Sequence, residues 1–207
     1  MKTIVRNTLV LLAITVIAGF AIGAIYEITR EPRAAQEEKT QNEAYAAVLA
    51  DAEAFESVEF DSDEVEEYVI SCGIESGTFS IDSIAVGTAS DGSTAGYAIT
   101  VTNGEGYGGD IQITVGILDD GTVSGVSILS ISETAGLGMK AKEDDFLSQF
   151  ADKLVESFTY TKDGATQDDE IDAISGATIT TNAMTNAVNT AIYTFNCISG
   201  NGGGADE

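Results

Sequence analysis

Residues 81–131 read IDSIAVGTASDGSTAGYAITVTNGEGYGGDIQITVGILDDGTVSGVSILSI. Apolar and polar residues alternate there with period two, and Asp91-Gly92 and Asp120-Gly121 interrupt the alternation. The pattern predicts strands over Ile81–Thr88 and Tyr97–Thr102, then over Ile111–Ile117 and Thr122–Ile131. Each pair closes into a hairpin, because Asp-Gly turns supply the positive φ that such turns need. Between the pairs lies Asn103–Gly109 (NGEGYGG), which lacks the Gly-Lys-Ser/Thr of a P-loop and reads first as a flexible interstrand turn.

Helical spacing flanks this block. Tyr45, Val48, Leu49 and Ala52 predict an amphipathic helix over Ala34–Phe55, with Pro32 just ahead where a helix can start. Phe146, Phe150 and Leu154 predict a helix over Glu143–Glu156. A last one is expected from Thr180 to Cys197, with Ala183, Ala187, Ala191, Ile192 and Phe195 on one side. Strands followed by helices, without strict alternation, give an α+β fold with antiparallel β-hairpins and flanking helices, and argue against a doubly wound parallel sheet. The acidic run Glu56–Glu67 reads as a solvated face: Asp61 and Asp63 have calcium-loop spacing, but the following Asp/Asn-Gly and the distal Glu are missing.

Composition excludes several chemistries. The 207 residues hold 34 acids, nine bases, no His, no Trp and two Cys, with a formal charge of −25. Without His there is no Ser-His-Asp triad and no His-ligated zinc or haem. Two Cys cannot complete a four-Cys zinc or iron–sulfur site. The charge argues against nucleic acid and anionic membrane surfaces as partners. Residues 34–207 hold 32 of the acids and five of the bases.

Leu9–Tyr26 (LVLLAITVIAGFAIGAIY) is apolar apart from Thr15. Eighteen helical residues span about 27 Å, enough for a hydrocarbon core. A cleaved signal peptide is the alternative, with Ala21-Ile22-Gly23 as a small-x-small site, but the apolar run continues through that site. The run therefore reads as a single-pass transmembrane anchor. Lys2 and Arg6 on one flank, against Arg30 and Arg33 offset by Glu27 and Glu31, place the amino terminus inside and residues 30–207 outside. Under that topology Cys72 and Cys197 can form a disulfide, or stay two buried thiols. The expected organisation is an anchor over 1–30, a helical and acidic connecting region over 31–76, the main domain over 77–197 and a flexible tail over 198–207.

Two motifs carry chemistry. Asp172-Ala-Ile-Ser-Gly-Ala-Thr178, followed by Ile179-Thr180-Thr181-Asn182, is a small-residue loop opening a helix. Backbone N–H groups and hydroxyls there can hold an anion without Lys or Arg. An ordinary helix start, capped by Ser, Thr or Asn, fits the same residues. Glu133-Thr-Ala-Gly-Leu-Gly138 ends a strand and precedes Lys140 and Lys142. Glycines at alternate positions allow a flat ligand to approach the backbone.

Together, DxxSGAT at 172–178, GYGGDI at 106–111, DGTVSGV at 120–126 and ETxGLG at 133–138 resemble the FMN-binding domain of two bacterial membrane complexes. These are the G subunit of the Rnf ferredoxin:NAD+ oxidoreductase, which the short chain resembles more, and the C subunit of the Na+-translocating NADH:quinone reductase. Ala135 stands where the family frequently has proline. The resemblance implies an extracytoplasmic FMN-binding domain anchored in the cell (inner) membrane. It also implies an electron-transfer subunit of an ion-translocating complex rather than an enzyme alone. Its partners would be other subunits of the complex, including integral membrane subunits. It further implies covalent FMN on Thr178 as a phosphoester, attached by a separate flavin transferase to which Asp172, Ser175, Gly176 and Ala177 present the threonine. Glu133, Thr134, Gly136, Leu137 and Gly138 would lie against the isoalloxazine ring, with Lys140 either near its pyrimidine end or in solvent. An anchored binding module without flavin is the reading from another class.

Overall fold

The computed structural model describes residues 2–200, without the side chains of Lys2, Ile28 and residues 30–35. From residue 201 onward the expected tail lies outside the described residues. The chain divides into two compact units, one up to Gln41 and one from Asn42 onward.

In the first unit the backbone is one helix, α1, which runs over Lys2–Val48 and ends in the second unit. It passes through Pro32, so the chain does not start a new helix there as expected. Thr3–Glu27 has a mean hydropathy of 2.5 and is wholly exposed, long and apolar enough to cross a membrane. An isolated helix that is apolar on every side has no polar face to give to water.

The second unit is built on a five-stranded antiparallel sheet of β1 (Ala52–Ser57), β2 (Phe79–Ala89), β3 (Thr94–Asn103), β4 (Ile111–Ile117) and β5 (Val123–Ser130), in that order. The two expected hairpins are present, and their turns share one chemistry. Ala89 N–H donates to Ser93 O at 2.8 Å, and Leu118 N–H to Thr122 O at 2.8 Å. Each closes a three-residue loop in which only the glycine, Gly92 or Gly121, takes positive φ. Asp91 accepts the Ser93 N–H and Asp120 the Thr122 N–H, both at 2.9 Å. The aspartate thus fixes the turn through its side chain while glycine supplies the left-handed position.

β3 and β4 sit in mid-sheet and are covered on both faces, so alternation gives way there to nearly continuous burial. Ile99, Val101, Ile111, Ile113, Val115 and Ile117 pack with α4 (Thr178–Ile198) into the main core. On the opposite face Ala85 and Ala98 pack with Tyr45, Val48 and Leu49 from the end of α1 and just beyond it. The helix expected over residues 34–55 is therefore corrected: α1 stops at Val48, and Ala52–Ser57 pairs with the free edge of β2 as β1. Hydrogen-bonding an unpaired edge outweighs the helical spacing of a short Ala-rich segment. α2 (Ser62–Ser71) then rises from the acidic run, with Asp61 as its N-cap accepting from Asp63 N–H and Glu64 N–H.

The helix expected over Glu143–Glu156 is also corrected. Only Asp144–Leu147 is α-helical (α3), between 3₁₀ turns at Gly138–Lys142 and Ser148–Phe150. Phe146 and Phe150 are buried at a ring-centroid distance of 5.6 Å, and Phe150 stacks edge-on against Phe158 at 5.1 Å. Leu154, the third residue of the pattern, is 66% exposed. Past Phe150 the chain turns left-handed at Asp152 (φ 58°), and Lys153 exchanges both backbone hydrogen bonds with Val123. The bridge to the sheet ends the helix. β6 (Thr159–Thr161) and β7 (Glu170–Asp172) form a small parallel pair before α4.

Candidate functional site

Three loops meet at one end of the sheet. NGEGYGG joins β3 to β4, ETAGLG follows β5, and SGAT leads from β7 into α4. They enclose an open cleft of about 550 Å³, lined by Tyr107, Glu133, Thr134, Leu137, Gly138, Gly176, Ala177, Thr178, Ile179 and Thr180. That volume is in the range of small-molecule and cofactor sites.

Glu133 is the one charged residue in the lining. Its Oε1 is buried with no hydrogen-bond partner, so the cleft contains an acceptor awaiting a donor. The other oxygen is crowded: a Cβ on Gly138 would fall 2.7 Å from Glu133 Oε2 and 2.6 Å from Thr180 Oγ1. Any side chain at position 138 would displace the groups that shape the floor. Around the mouth, Tyr107, Leu137 and Ile179 are 72%, 44% and 52% exposed. Apolar side chains left in water around a polar floor mark a binding surface.

α4 opens without a side-chain cap: its N-cap is Ala177, and the first intrahelical bond runs from Thr181 N–H to Ala177 O at 3.0 Å. The N–H groups of Thr178, Ile179 and Thr180 precede that bond and are aligned as an anion-binding helix start. Thr181 is instead turned inward. Its hydroxyl accepts from Ile174 N–H and donates to Ala177 O, both at 3.0 Å, tying the SGAT loop to the first turn. Thr180 and Thr181 are buried, whereas Thr178 is half-exposed on the cleft wall.

Seven of the eleven residues singled out from the sequence line the cleft: Glu133, Thr134, Leu137, Gly138, Gly176, Ala177 and Thr178. Four do not. Gly136 (φ 77°) makes the turn that carries Leu137. Ser175 and Lys140 are exposed and stand outside the lining. Asp172 supports the loop from outside the lining. Its carboxylate accepts from Ala165 N–H at 2.5 Å, and its backbone N–H donates to Gln149 Oε1 at 2.6 Å. Tyr107, Ile179 and Thr180 were missed. The signal for Tyr107 was an aromatic residue isolated within a glycine loop. Thr180 stood in the sequence only as a hydroxyl following the SGAT motif, and its place in the cleft depends on the approach of Gly138.

A model of the FMN-binding domain matches residues 106–193, from the β3–β4 loop into α4. The G subunit of the Na(+)-translocating ferredoxin:NAD(+) oxidoreductase complex of Acetobacterium woodii is 31% identical over 202 residues, 96% of this chain and 94% of that protein. The G subunit of the proton-translocating ferredoxin:NAD(+) oxidoreductase complex of Clostridium ljungdahlii is 32% identical over 184 residues, 89% and 87% of the two chains. Among solved structures, NqrC of Shewanella oneidensis has a TM-score of 0.56 at 16% identity, covering 80% of this chain and 98% of that one, a likeness of fold. With 31–32% identity over most of both chains, the chain belongs to the G-subunit family of ion-translocating ferredoxin:NAD(+) oxidoreductase complexes.

Proposed function

We propose that the chain is the FMN-carrying electron-transfer subunit of a membrane-bound, ion-translocating ferredoxin:NAD+ oxidoreductase complex, with FMN joined to Thr178 as a phosphoester. The observation that carries this reading is the cleft: it brings the ETAGLG and SGAT loops together around an unpartnered buried acceptor, Glu133 Oε1. Leu137 and Tyr107 would cover the faces of a flat ring system, and Glu133 Oε1 would accept from one of its N–H or O–H donors. Bound there, FMN supplies one- and two-electron redox chemistry.

No Lys or Arg lines the cleft, and residues 42–200 hold 28 acids against four bases. A phosphate gains no ion pair here. The free N–H groups at the start of α4 can offset its charge, and an ester bond would keep an anionic cofactor on an acidic protein. Burial of Thr180 and Thr181 leaves Thr178 as the accessible hydroxyl among the three threonines that open α4, which supports it over those two. The chain contains no His to activate that hydroxyl, so attachment calls for a separate flavin transferase. Asp172 and Gln149 would hold the acceptor loop in shape for it.

α1 anchors the subunit in the membrane, with the domain outside and the other subunits of the complex as its partners. The orientation is tested by protease added to intact cells, where survival of the acidic domain would sink it. The flavin site is tested by Thr178→Val produced alongside the transferase. In-gel flavin fluorescence should vanish at unchanged protein level; fluorescence retained, with FMN mapped to Thr180 or Thr181, refutes the assignment.

A further inference from the structure

The chemistry left unused lies at the opposite end of α4. Val65, Val69 and Ile74 form a small core cluster of their own, and Phe60, Phe79, Ile81, Tyr193, Cys197 and Ile198 pack against it. Phe60, Ile81, Tyr193 and Ile198 also pack against the main core, so the small cluster adjoins it where α2 meets α4. Cys72 is the C-cap of α2, its N–H bonded to Tyr68 O at 3.1 Å. The chain then turns so that Ile74 N–H reaches back to Val69 O at 3.4 Å. Val69 and Ile74, on either side of Cys72, thus belong to the cluster that takes in Cys197.

Both cysteines are free and half-buried. Tyr68 lies within electrostatic reach of both Cys72 and Cys197. Burial first, then the nearby Glu64 and Cys72, push the Cys197 thiol up. The chain has two cysteines in all, 125 positions apart, and the fold brings the end of α2, which Cys72 caps, against the helix whose last turn carries Cys197.

We propose that Cys72 and Cys197 form an intramolecular disulfide that staples the end of α2 to the end of α4. The oxidant is a disulfide donor, either a disulfide-carrying oxidoreductase or a small-molecule disulfide. One protein thiolate attacks a donor sulfur and expels the first donor thiol, leaving a mixed disulfide. The second protein thiolate then attacks the protein sulfur of that mixed disulfide and expels the second donor thiol. Two cysteines are oxidised to one S–S bond, the donor disulfide is reduced to two thiols, and the two cysteine protons leave with them. The raised Cys197 thiol holds little thiolate at neutral pH, so its exchange is slow without a catalyst.

The bond would close a loop of 125 residues and restrict the unfolded chain strongly. In the folded state it would pin α2, otherwise held by a few apolar contacts, to the helix that opens at the cleft. The proposal does not depend on flavin binding.

The test uses the full-length protein in detergent, incubated with oxidised glutathione, denatured and treated with a thiol alkylating reagent. Expected are no alkylated thiols, no glutathione adducts, monomeric chains and a Cys72–Cys197 cross-linked peptide by mass spectrometry. The midpoint of thermal unfolding should rise by about 5–15 °C over the reduced protein. Cys72→Ser and Cys197→Ser should each retain one reactive or glutathione-capped thiol and lose that rise. Two alkylatable thiols, two glutathione adducts or a disulfide between chains would overturn the proposal. The wild-type measurement stands whether or not either variant folds.

Discussion

Leu9–Tyr26 within α1 and the whole of α4 are both free of charged side chains, in a chain that carries −25. Their environments are opposite. The apolar stretch of α1 is wholly exposed, whereas thirteen of the 21 residues of α4 are buried. What separates them is uncharged polarity. Leu9–Tyr26 has a single polar side chain, Thr15, bonded to Leu12 O at 2.9 Å in its own helix. In α4, Thr185, Thr190 and Thr194 return their hydroxyls to carbonyls one turn back. Asn189 reaches out to the backbone of Phe158, accepting its N–H at 2.7 Å and donating to its C=O at 2.9 Å. A protein core can offer an amide a built partner, which a hydrocarbon layer cannot. Absence of charge alone says only that a helix avoids water; Thr and Asn content says what replaces it.

The sharpest way to break this contrast is to charge α1. Val16→Arg combined with Ile17→Arg should cost about 6 kcal/mol of insertion free energy. The protein should then leave the membrane fraction on alkaline carbonate extraction, and retention in the pellet would reject the anchor. Next is a matched pair of Phe→Ala changes. Phe195 is 2% exposed and meets Tyr97 edge-on at 5.4 Å, while Phe20 is 80% exposed. Phe195→Ala should destabilise the domain by about 3–5 kcal/mol, and Phe20→Ala should leave its denaturant midpoint unchanged. Equal effects would mean that Phe20 contributes to the stability of the domain.

Asn189→Ala tests the polar link itself. It strands a buried N–H and C=O on Phe158, at an expected cost of about 2–3 kcal/mol. A neutral result in urea unfolding would show that the amide merely fills space. The smallest effect concerns pH. Neither helical stretch holds a carboxylate, so acid sensitivity must come from elsewhere, and the hairpin turns are candidates. The hydroxyl and N–H of Ser93 hold Asp91 below its usual value of 3.8, and the Thr122 N–H does the same for Asp120. A carboxylate lowered by folding adds stability above its unfolded pKa, and that stability fades as pH falls through the folded value. Asp91→Asn with Asp120→Asn should therefore flatten the loss of thermal stability slightly between about pH 5 and pH 2; an unchanged slope would locate that sensitivity in other carboxylates.

Much of the architecture was readable because it is local. Period-two alternation with Asp-Gly turns marks two hairpins, and Ala183, Ala187, Ala191 and Phe195 mark the buried side of α4, whatever the rest of the chain does. The expected helix over Glu143–Glu156 failed because Lys153 bonds to Val123, thirty positions upstream, and no local pattern records that competition. β1 was overlooked for the same reason: Ala52–Ser57 is a strand only because β2 offers it an edge. Seven cleft residues were visible through the FMN-domain motifs, but Thr180 enters only where Gly138 allows two loops to close on each other.

By itself, then, the sequence determined the four strands of the two hairpins and the last helix, which stretch is apolar enough for a membrane, and which loops are made of residues small enough to admit a ligand. Tertiary structure decided that GEGYGG, ETAGLG and SGAT share one cleft, that Glu133 Oε1 is left without a partner there, and that the end of α2 capped by Cys72 packs against the helix that carries Cys197. The reason is range. Periodicity, turn chemistry and hydropathy act over a few residues, whereas these meetings join segments 25 to 125 positions apart and exist only once the sheet and α4 have packed.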